Sequence, residues 1–327
     1  MRWVFYLVFL YCTAAELQKN EDICELLSNK SHSLTTTSNE RKVLKIFDCF
    51  LFNDETDMLE IRLRELGSVV DYFVLLESSK TFSNQPKRLI FNDMKERYQI
   101  FANQIIYLSV ETLPAGNSWK KEAYLRDYLF HNGLQQKGRE ARKGDIIIVS
   151  DVDELIRPVY LHALKICTNF NPSLIQFTMQ FNYYSYSNRV LQPWLGVFAV
   201  AFDESNPNIS VHALRQKHSA TLTIDDAGWH CSYCFNSLKQ FRNKFNSFAH
   251  TEFSKKSAPK IHTKEHLIEC IQHGRDILGP YRQDKYPPKF ENLAVVDAPA
   301  YVLANSMRFR YLLNRSTPDA GLIDAFD

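Results

Sequence analysis

From Val43 onward the chain is patterned in a way that its first 42 residues are not. Val43 to Leu51 is rich in apolar residues and predicts a strand, and Asn53-Asp54-Glu55 offers side chains that can cap a helix behind it. Leu59, Leu63 and Leu66 then recur at i, i+4 and i+7, with Gly67 where a C-cap belongs, so the spacing predicts a helix of about three turns. Val69 to Glu77 follows as an almost unbroken apolar run, the texture of a strand buried on both faces of a parallel sheet. The opening is therefore β-α-β. Gln104 to Val110 predicts another strand, Lys120 to Gln136 a helix carrying Ala123, Leu125, Leu129 and Leu134, and Asp145 to Ser150 the next strand. Such alternation indicates an α/β fold with a mostly parallel central sheet flanked by helices.

The texture changes after Pro158. Strand-like runs at 173–186, 194–203 and 219–224 predict a mixed or antiparallel portion, followed by helices near 236–248 and 263–273. Residues 16–42, with Ser31, Ser33 and Thr35-Thr36-Thr37-Ser38-Asn39, have no apolar period and read as a linker or short stem. No internal repeat occurs, and no composition break divides residues 43–313, which are expected to form one catalytic domain with a tail at 314–327.

At the N-terminus a single charge, Arg2, precedes an apolar run from Trp3 to Tyr11 and the small residues Ala14 and Ala15, the layout of a signal peptide cleaved after Ala15. The run is shorter than the about 20 apolar residues that span a bilayer; membrane association would require the segment to remain as an uncleaved anchor. Asn29, Asn208 and Asn314 head glycosylation sequons. Beyond Cys12 there are six cysteines, Cys24, Cys49, Cys167, Cys231, Cys234 and Cys270, an even number that in an oxidising compartment suggests disulfides, with 15 pairings open. The expected location is the secretory pathway, in the Golgi lumen or beyond it. At 45% hydrophobic and 23% charged, the chain excludes the disordered classes, and a net charge of +2 without like-charged runs leaves no footprint for nucleic acid.

Candidate chemistry concentrates in Gly144-Asp145-Ile146-Ile147-Ile148-Val149-Ser150-Asp151-Val152-Asp153-Glu154. Ligands of open α/β sheets collect at the carboxyl ends of strands, where this acidic cluster lies. If the chain stays extended through Val152, Asp151 and Asp153 point to the same side and can converge on one ion. Unit charges about 5 Å apart at an effective dielectric of 20 repel by roughly 3 kcal/mol, which a cation would relieve. Hard oxygen ligands suit Mn²⁺ or Mg²⁺ bridging to substrate phosphates. The competing reading is a solvated turn in which the acids cap the helix near Pro158.

The chain resembles glycosyltransferase family 17 in a series of blocks. Phe47-Asp48-Cys49-Phe50 leads into Asp57 to Leu63 and Glu65 to Asp71, with Glu77-Ser78 after it. Tyr124-Leu125-Arg126, Ser150 to Glu154 and Ala227 to Phe235 follow, then Tyr286-Pro287-Pro288 with Arg308 to Leu313. The resemblance implies a GT-A-like fold and a metal-dependent, inverting transfer of N-acetylglucosamine from UDP-N-acetylglucosamine to a mannose of an N-glycan in β-1,4 linkage. It makes Asp151 and Asp153 the ligands of Mn²⁺ or Mg²⁺, with His230 able to complete the shell or simply to be a satisfied polar residue. Asp48, Glu77, Arg126 and Trp229 become donor-site candidates, Arg126 with the alternative of holding an acid in place and Trp229 with that of a core position. Glu154 and Asp226 are candidates for the base that deprotonates the acceptor. Arg62 reads as an ion-pair partner of Glu60 and Glu65 on its own helix. Cys231 and Cys234 read as a structural pair. The alternatives to this transferase are a secreted carbohydrate-binding protein on a degenerate transferase fold, a transferase for a different glycan or glycoprotein acceptor, and a metal-dependent phosphoester hydrolase.

Overall fold

The structure is a computed structural model that describes residues 44–167, 174–206, 209–217, 220–247, 253, 257–281 and 288–325. In chain order the principal elements are β1 (Ile46–Leu51), α1 (Thr56–Leu66), β2 (Tyr72–Ser78), α2 (Ile90–Met94), β3 (Ile105–Val110), α3 (Ser118–Gly133), β4 (Ile146–Asp151), β5 (Glu154–Ile156) and α4 (Pro158–Ile166). The second half contains β6 (Leu174–Tyr183), β7 (Asn188–Ala201), α5 (Val211–Lys217), β8 (Leu222–Ile224), β9 (Gly228–Ser232), α6 (Leu238–Ser247), α7 (Lys264–His273), β10 (Phe290–Asn292), α8 (Ala300–Ala304) and α9 (Arg310–Leu313). The proposed signal peptide, the stem, Asn29 and Asn208 lie outside the described residues. No helix among the described residues is long and apolar enough to cross a membrane.

All ten strands among the described residues belong to one sheet, with the order β3-β2-β1-β4-β7-β6-β9-β5, β10 pairing β7 and β8 pairing β6. The first four are parallel, as their apolar texture predicts, and β4 then pairs antiparallel with β7. β2 and β4 leave β1 on opposite sides, so the strand order reverses between β1 and β4. Such a switch point opens a crevice at the carboxyl ends of the strands, and Leu51 pairs with Asp151 there.

Alternation along β1 assigns its side chains to two different cores. Ile46 and Phe50 pack with Leu59, Leu63 and Leu66 of α1, whereas Phe47 and Cys49 pack with Leu125, Leu129 and Phe130 of α3. Gly133 lets α3 lie against β2, because a Cβ there would collide with Val74 Cγ1. A third core joins Leu238, Phe241 and Phe245 of α6 to Leu267 and Ile271 of α7. Residues after 313, expected as a tail, belong to that core: Leu322 and Ala325 are buried in it, and Arg315 donates to the carbonyls of Tyr184, Phe235 and Ala320. Asn314 beside it is exposed, its Oδ1 accepting the Ser316 N–H at 2.7 Å.

Several boundaries shift from the expected ones. β2 begins at Tyr72, not Val69, and α3 ends at Gly133, not Gln136. β5 and β9, which periodicity did not predict, pair antiparallel with Leu155 opposite Trp229 and Ile156 opposite Gly228. β5 has only three residues and lies behind a turn, too short for an alternation signal. Cys231 and Cys234 form a disulfide and Cys167 is also disulfide-bonded, whereas Cys49 and Cys270 are free and buried. The even cysteine count does not translate into complete pairing.

Gly228 admits the close approach of β5. A Cβ at this position would overlap the Leu155 carbonyl oxygen and lie 2.9 Å from Ile156 Cα, and neither backbone atom can rotate away. Gly228→Ala is therefore expected to destabilise the protein by about 1–3 kcal/mol, the range for overpacked interiors, measured as a lowered midpoint in chemical denaturation.

Candidate active site

The acidic segment is held from behind by one side chain. Arg62, fully buried on α1, donates Nε to Asp48 Oδ2 at 2.7 Å and Nη2 to Asp48 Oδ1 at 2.5 Å. Its Nη2 also reaches Ser150 Oγ at 2.5 Å, and its Nη1 reaches the carbonyls of Asp151 at 2.8 Å and Glu154 at 2.7 Å. Its partner is thus Asp48 rather than Glu60 or Glu65. Glu60 pairs with Arg308 and Arg97, and Glu65 caps Ala300 and Tyr301. Asp48, fully buried, is consumed by this pair and does not line the crevice.

The chain does not stay extended through the acidic segment. β4 ends at Asp151, Val152 and Asp153 form a turn, and β5 starts at Glu154. Asp151 and Asp153 nevertheless both line one cavity of about 350 Å³, together with Arg126, Trp194, Arg215 and Lys244. Glu154 turns the other way. It is fully buried, accepting Trp194 Nε1 at 2.5 Å, the Asp151 N–H at 2.7 Å and the Arg215 guanidinium at 2.6 and 3.0 Å.

Fixed cations surround the two aspartates. Arg126 Nη2 lies 2.7 Å from Asp151 Oδ1 and Arg215 Nη2 2.9 Å from Asp151 Oδ2. Burial alone would raise the Asp151 carboxyl, but the two guanidinium groups outweigh it and hold it below the usual carboxylate range. Asp153 is also lowered against the effect of burial, through His230 and then Lys244. Lys244 Nζ is 3.1 Å from Glu55 Oε1, and burial, which would favour loss of its proton, is overcome by Glu55 and Asp153.

His230 stands behind Asp153, with Nε2 3.8 Å from Asp153 Oδ2 and its ring in a mutual cluster with those of Phe181 and Trp194. Glu77 is buried at the start of α2, where it accepts the N–H groups of Phe91 and Asn92 and the Tyr107 hydroxyl. Trp229 is a core residue, its Nε1 donating to Asp297 and its ring covered by Arg157 at 4.2 Å. Asp226 accepts from Arg157 and Gln180 and is not part of the cavity wall. The structure thus brings Arg126, Asp151 and Asp153 together in the cavity with His230 beside them, and places Asp48, Glu77, Trp229, Asp226 and Glu154 elsewhere. Sequence reasoning missed Arg215, Lys244 and Trp194, each remote in the chain from the acids it serves.

Among the described residues no three His, Cys, Asp or Glu side chains form a cluster able to hold an ion alone. Two cavity-facing carboxylates do fit a hard divalent ion that takes its other ligands from phosphate oxygens and water, as Mg²⁺ and Mn²⁺ commonly do. Different environments imply different consequences of mutation. Glu154→Gln strips a buried guanidinium of its carboxylate and is expected to cost about 3–5 kcal/mol, whereas Asp153→Asn, whose nearest cation-forming group, His230, is 3.8 Å away, is expected to cost less; urea denaturation of both variants checks the contrast.

The model for Glycosyltransferase family 17 matches residues 10–317. Among known proteins, the chain is 26% identical over 298 residues to the beta-1,4-mannosyl-glycoprotein 4-beta-N-acetylglucosaminyltransferase of Rattus norvegicus, covering 82% of this chain and 54% of the relative. It is 26% identical over 299 residues to the protein of the same name in Homo sapiens, covering 83% and 55%. The chain therefore spans about half the length of the curated relatives it matches. Of solved structures, the mannosyltransferase PcManGT from Pyrobaculum calidifontis, in complex with GDP-Man and Mn2+, aligns with 84% of this chain and 73% of its own at 10% identity and a TM-score of 0.37. The inositol-1-phosphate CTP transferase from T. maritima aligns with 58% and 88% at 14% identity and a TM-score of 0.32. Both likenesses are too slight to argue from. The family match, by contrast, takes in the parallel strands, the Arg62 cradle and the cavity residues from Arg126 to Lys244 without a break, and the chain belongs to glycosyltransferase family 17.

Proposed function

We propose that this glycosyltransferase moves N-acetylglucosamine from UDP-N-acetylglucosamine to a mannose of an N-glycan, in β-1,4 linkage and with inversion. The observation that carries the reading is the cavity at the β1/β4 switch point, where Asp151 and Asp153 are ringed by Arg126, Arg215 and Lys244. The names of the mammalian relatives supply the sugar and the acceptor class. Its volume, about 350 Å³, lies at the lower end of the range for small-ligand sites, about 300–1,000 Å³.

Asp151 and Asp153 would hold Mn²⁺ or Mg²⁺ against the donor diphosphate. Bound there, the ion supplies Lewis-acid charge to the departing UDP. The chain's own residues supply the rest. Lys244 and Arg126 are held in fixed positions by Glu55 and Glu122, so they can face developing negative charge without having to reorganise. The lowered carboxyl groups of Asp151 and Asp153 keep both acids ionised at neutral pH and ready for a cation. An acceptor hydroxyl must lose its proton to a group within reach of the cavity. Glu154 and Asp226 do not line it; Glu55 and Glu122 do. The Cys231–Cys234 disulfide supports a location in the oxidising lumen of the secretory pathway.

Purified protein incubated with Mn²⁺, a panel of UDP-sugars and defined N-glycans should yield one added N-acetylhexosamine by mass spectrometry, with UDP-N-acetylglucosamine as the preferred donor. Asp153→Asn should abolish that product while the protein stays folded. Nucleotide binding without transfer to any glycan would favour the sugar-binding alternative, and transfer to a different glycan would move the acceptor assignment alone.

A further inference from the structure

We propose that Arg215 is a tethered counter-ion of Asp151, which gives way when a divalent cation enters with the donor diphosphate and then serves as a ligand of that diphosphate. This rests on the metal–diphosphate reading of the cavity given above.

The geometry of Arg215 separates a fixed edge from a releasable one. Its Nη1 donates to Glu154 Oε2 at 3.0 Å and to the Gly196 carbonyl, and its Nη2 to Glu154 Oε1 at 2.6 Å. Glu154 is itself locked by Trp194 and by the Asp151 N–H, so the guanidinium has a permanent seat in the cavity wall. The remaining contact, Nη2 to Asp151 Oδ2 at 2.9 Å, is made to a carboxylate that the cavity exposes by a third. With Arg126 on Oδ1 as well, both oxygens of Asp151 already face positive charge. A doubly charged ion approaching that carboxylate meets two guanidinium groups at hydrogen-bond range, and the repulsion weakens its binding to the free protein. An anionic diphosphate arriving with the ion reverses the balance, since it offers acceptor oxygens to the guanidinium groups as the ion takes Asp151.

A second observation points to the same ligand. Arg126 Nη1 is buried without a hydrogen-bond partner, although the same side chain spends its Nε and Nη2 on Glu122 and Asp151. An orphaned buried donor on a cavity-lining guanidinium calls for an anionic acceptor. Arg126 and Arg215 flank Asp151 from two different helices, α3 and α5, so a diphosphate seated between them meets the unpaired Nη1 of Arg126 and the Nη2 edge of Arg215 that Asp151 releases.

The test uses the full chain and reads binding, not turnover. Free Mn²⁺ is followed by electron paramagnetic resonance with and without UDP, and UDP binding in EDTA is followed by calorimetry. Wild-type protein should bind Mn²⁺ about tenfold or more tightly when UDP is present, and Arg215→Gln, which removes the competing charge, should tighten Mn²⁺ binding in the absence of UDP by a similar factor. Asp151→Asn, close to isosteric and independent of whether Arg215→Gln folds, should release both guanidinium groups and strengthen metal-free UDP binding several-fold. Unchanged metal-free UDP affinity in Asp151→Asn, or unchanged Mn²⁺ affinity in folded Arg215→Gln, overturns the role of Arg215 while leaving the metal–UDP site standing. If wild-type protein binds Mn²⁺ neither alone nor with UDP, that site and the role of Arg215 fail together.

Discussion

The buried guanidinium of Arg62 is the constraint from which the rest of the site follows. An arginine side chain has five N–H donors and no acceptor, and here they meet the two Asp48 oxygens, Ser150 Oγ and the carbonyls of Asp151 and Glu154. Backbone carbonyls at the end of a central strand would otherwise be buried without partners, at the cost of a lost hydrogen bond each. Such a pair is poor evidence for stability in itself, because desolvating both charges consumes most of what their attraction returns. Its effect is geometric. It stops β4 at Asp151, turns the chain through Val152 and Asp153, and starts β5 with the opposite facing.

Around that turn the charges alternate in sign and come from different layers. Arg126 arrives on α3 from one face of the sheet, Lys244 on α6 from the third core, and Arg215 on α5 after β7. Each cation is seated on an acid other than the aspartate it serves: Glu122 for Arg126, Glu55 for Lys244 and Glu154 for Arg215. Long flexible side chains lose about 2 kcal/mol of rotamer freedom when fixed, so holding them before substrate arrives removes that cost from binding. Packing of three separate cores is thereby coupled to the electrostatics of one cavity.

What the sequence made legible is what short-range patterning controls. The buried parallel strands and the helices α1, α3, α6 and α7 declare themselves by period, and the acid cluster by its place after an apolar strand. Strands β5 and β9 do not, because their pairing is set by the turn and by Gly228. The pairing of charges was illegible for a different reason. Arg215 lies 64 residues from Asp151, and Lys244 189 from Glu55, separations over which no local rule operates. One signal was available. Arg62 sits at i+3 within the Leu59, Leu63 and Leu66 stripe, and Asp48 alternates onto the same face as Ile46 and Phe50. A charge in each of two facing apolar stripes implies that they meet, which assigns Asp48 to structure and not to a nucleoside.

Three acids within four residues thus occupy three chemical states. Glu154 has four donors on its two oxygens and no exposure, so it functions as an anchor behind the cavity. Asp151 is shared between two guanidinium groups and the cavity, and Asp153, with His230 behind it, is the least committed of the three. Residue type and spacing are the same for any short acidic motif, and they do not distinguish a ligand from a strut. The distinction is made by which carboxylate oxygens are already saturated, and that depends on partners drawn from α3, α5 and β7. An acid that is fully paired in the resting fold can contribute only by holding others in place, whereas one with an oxygen still facing the cavity can accept a cation without first breaking the structure that positions it.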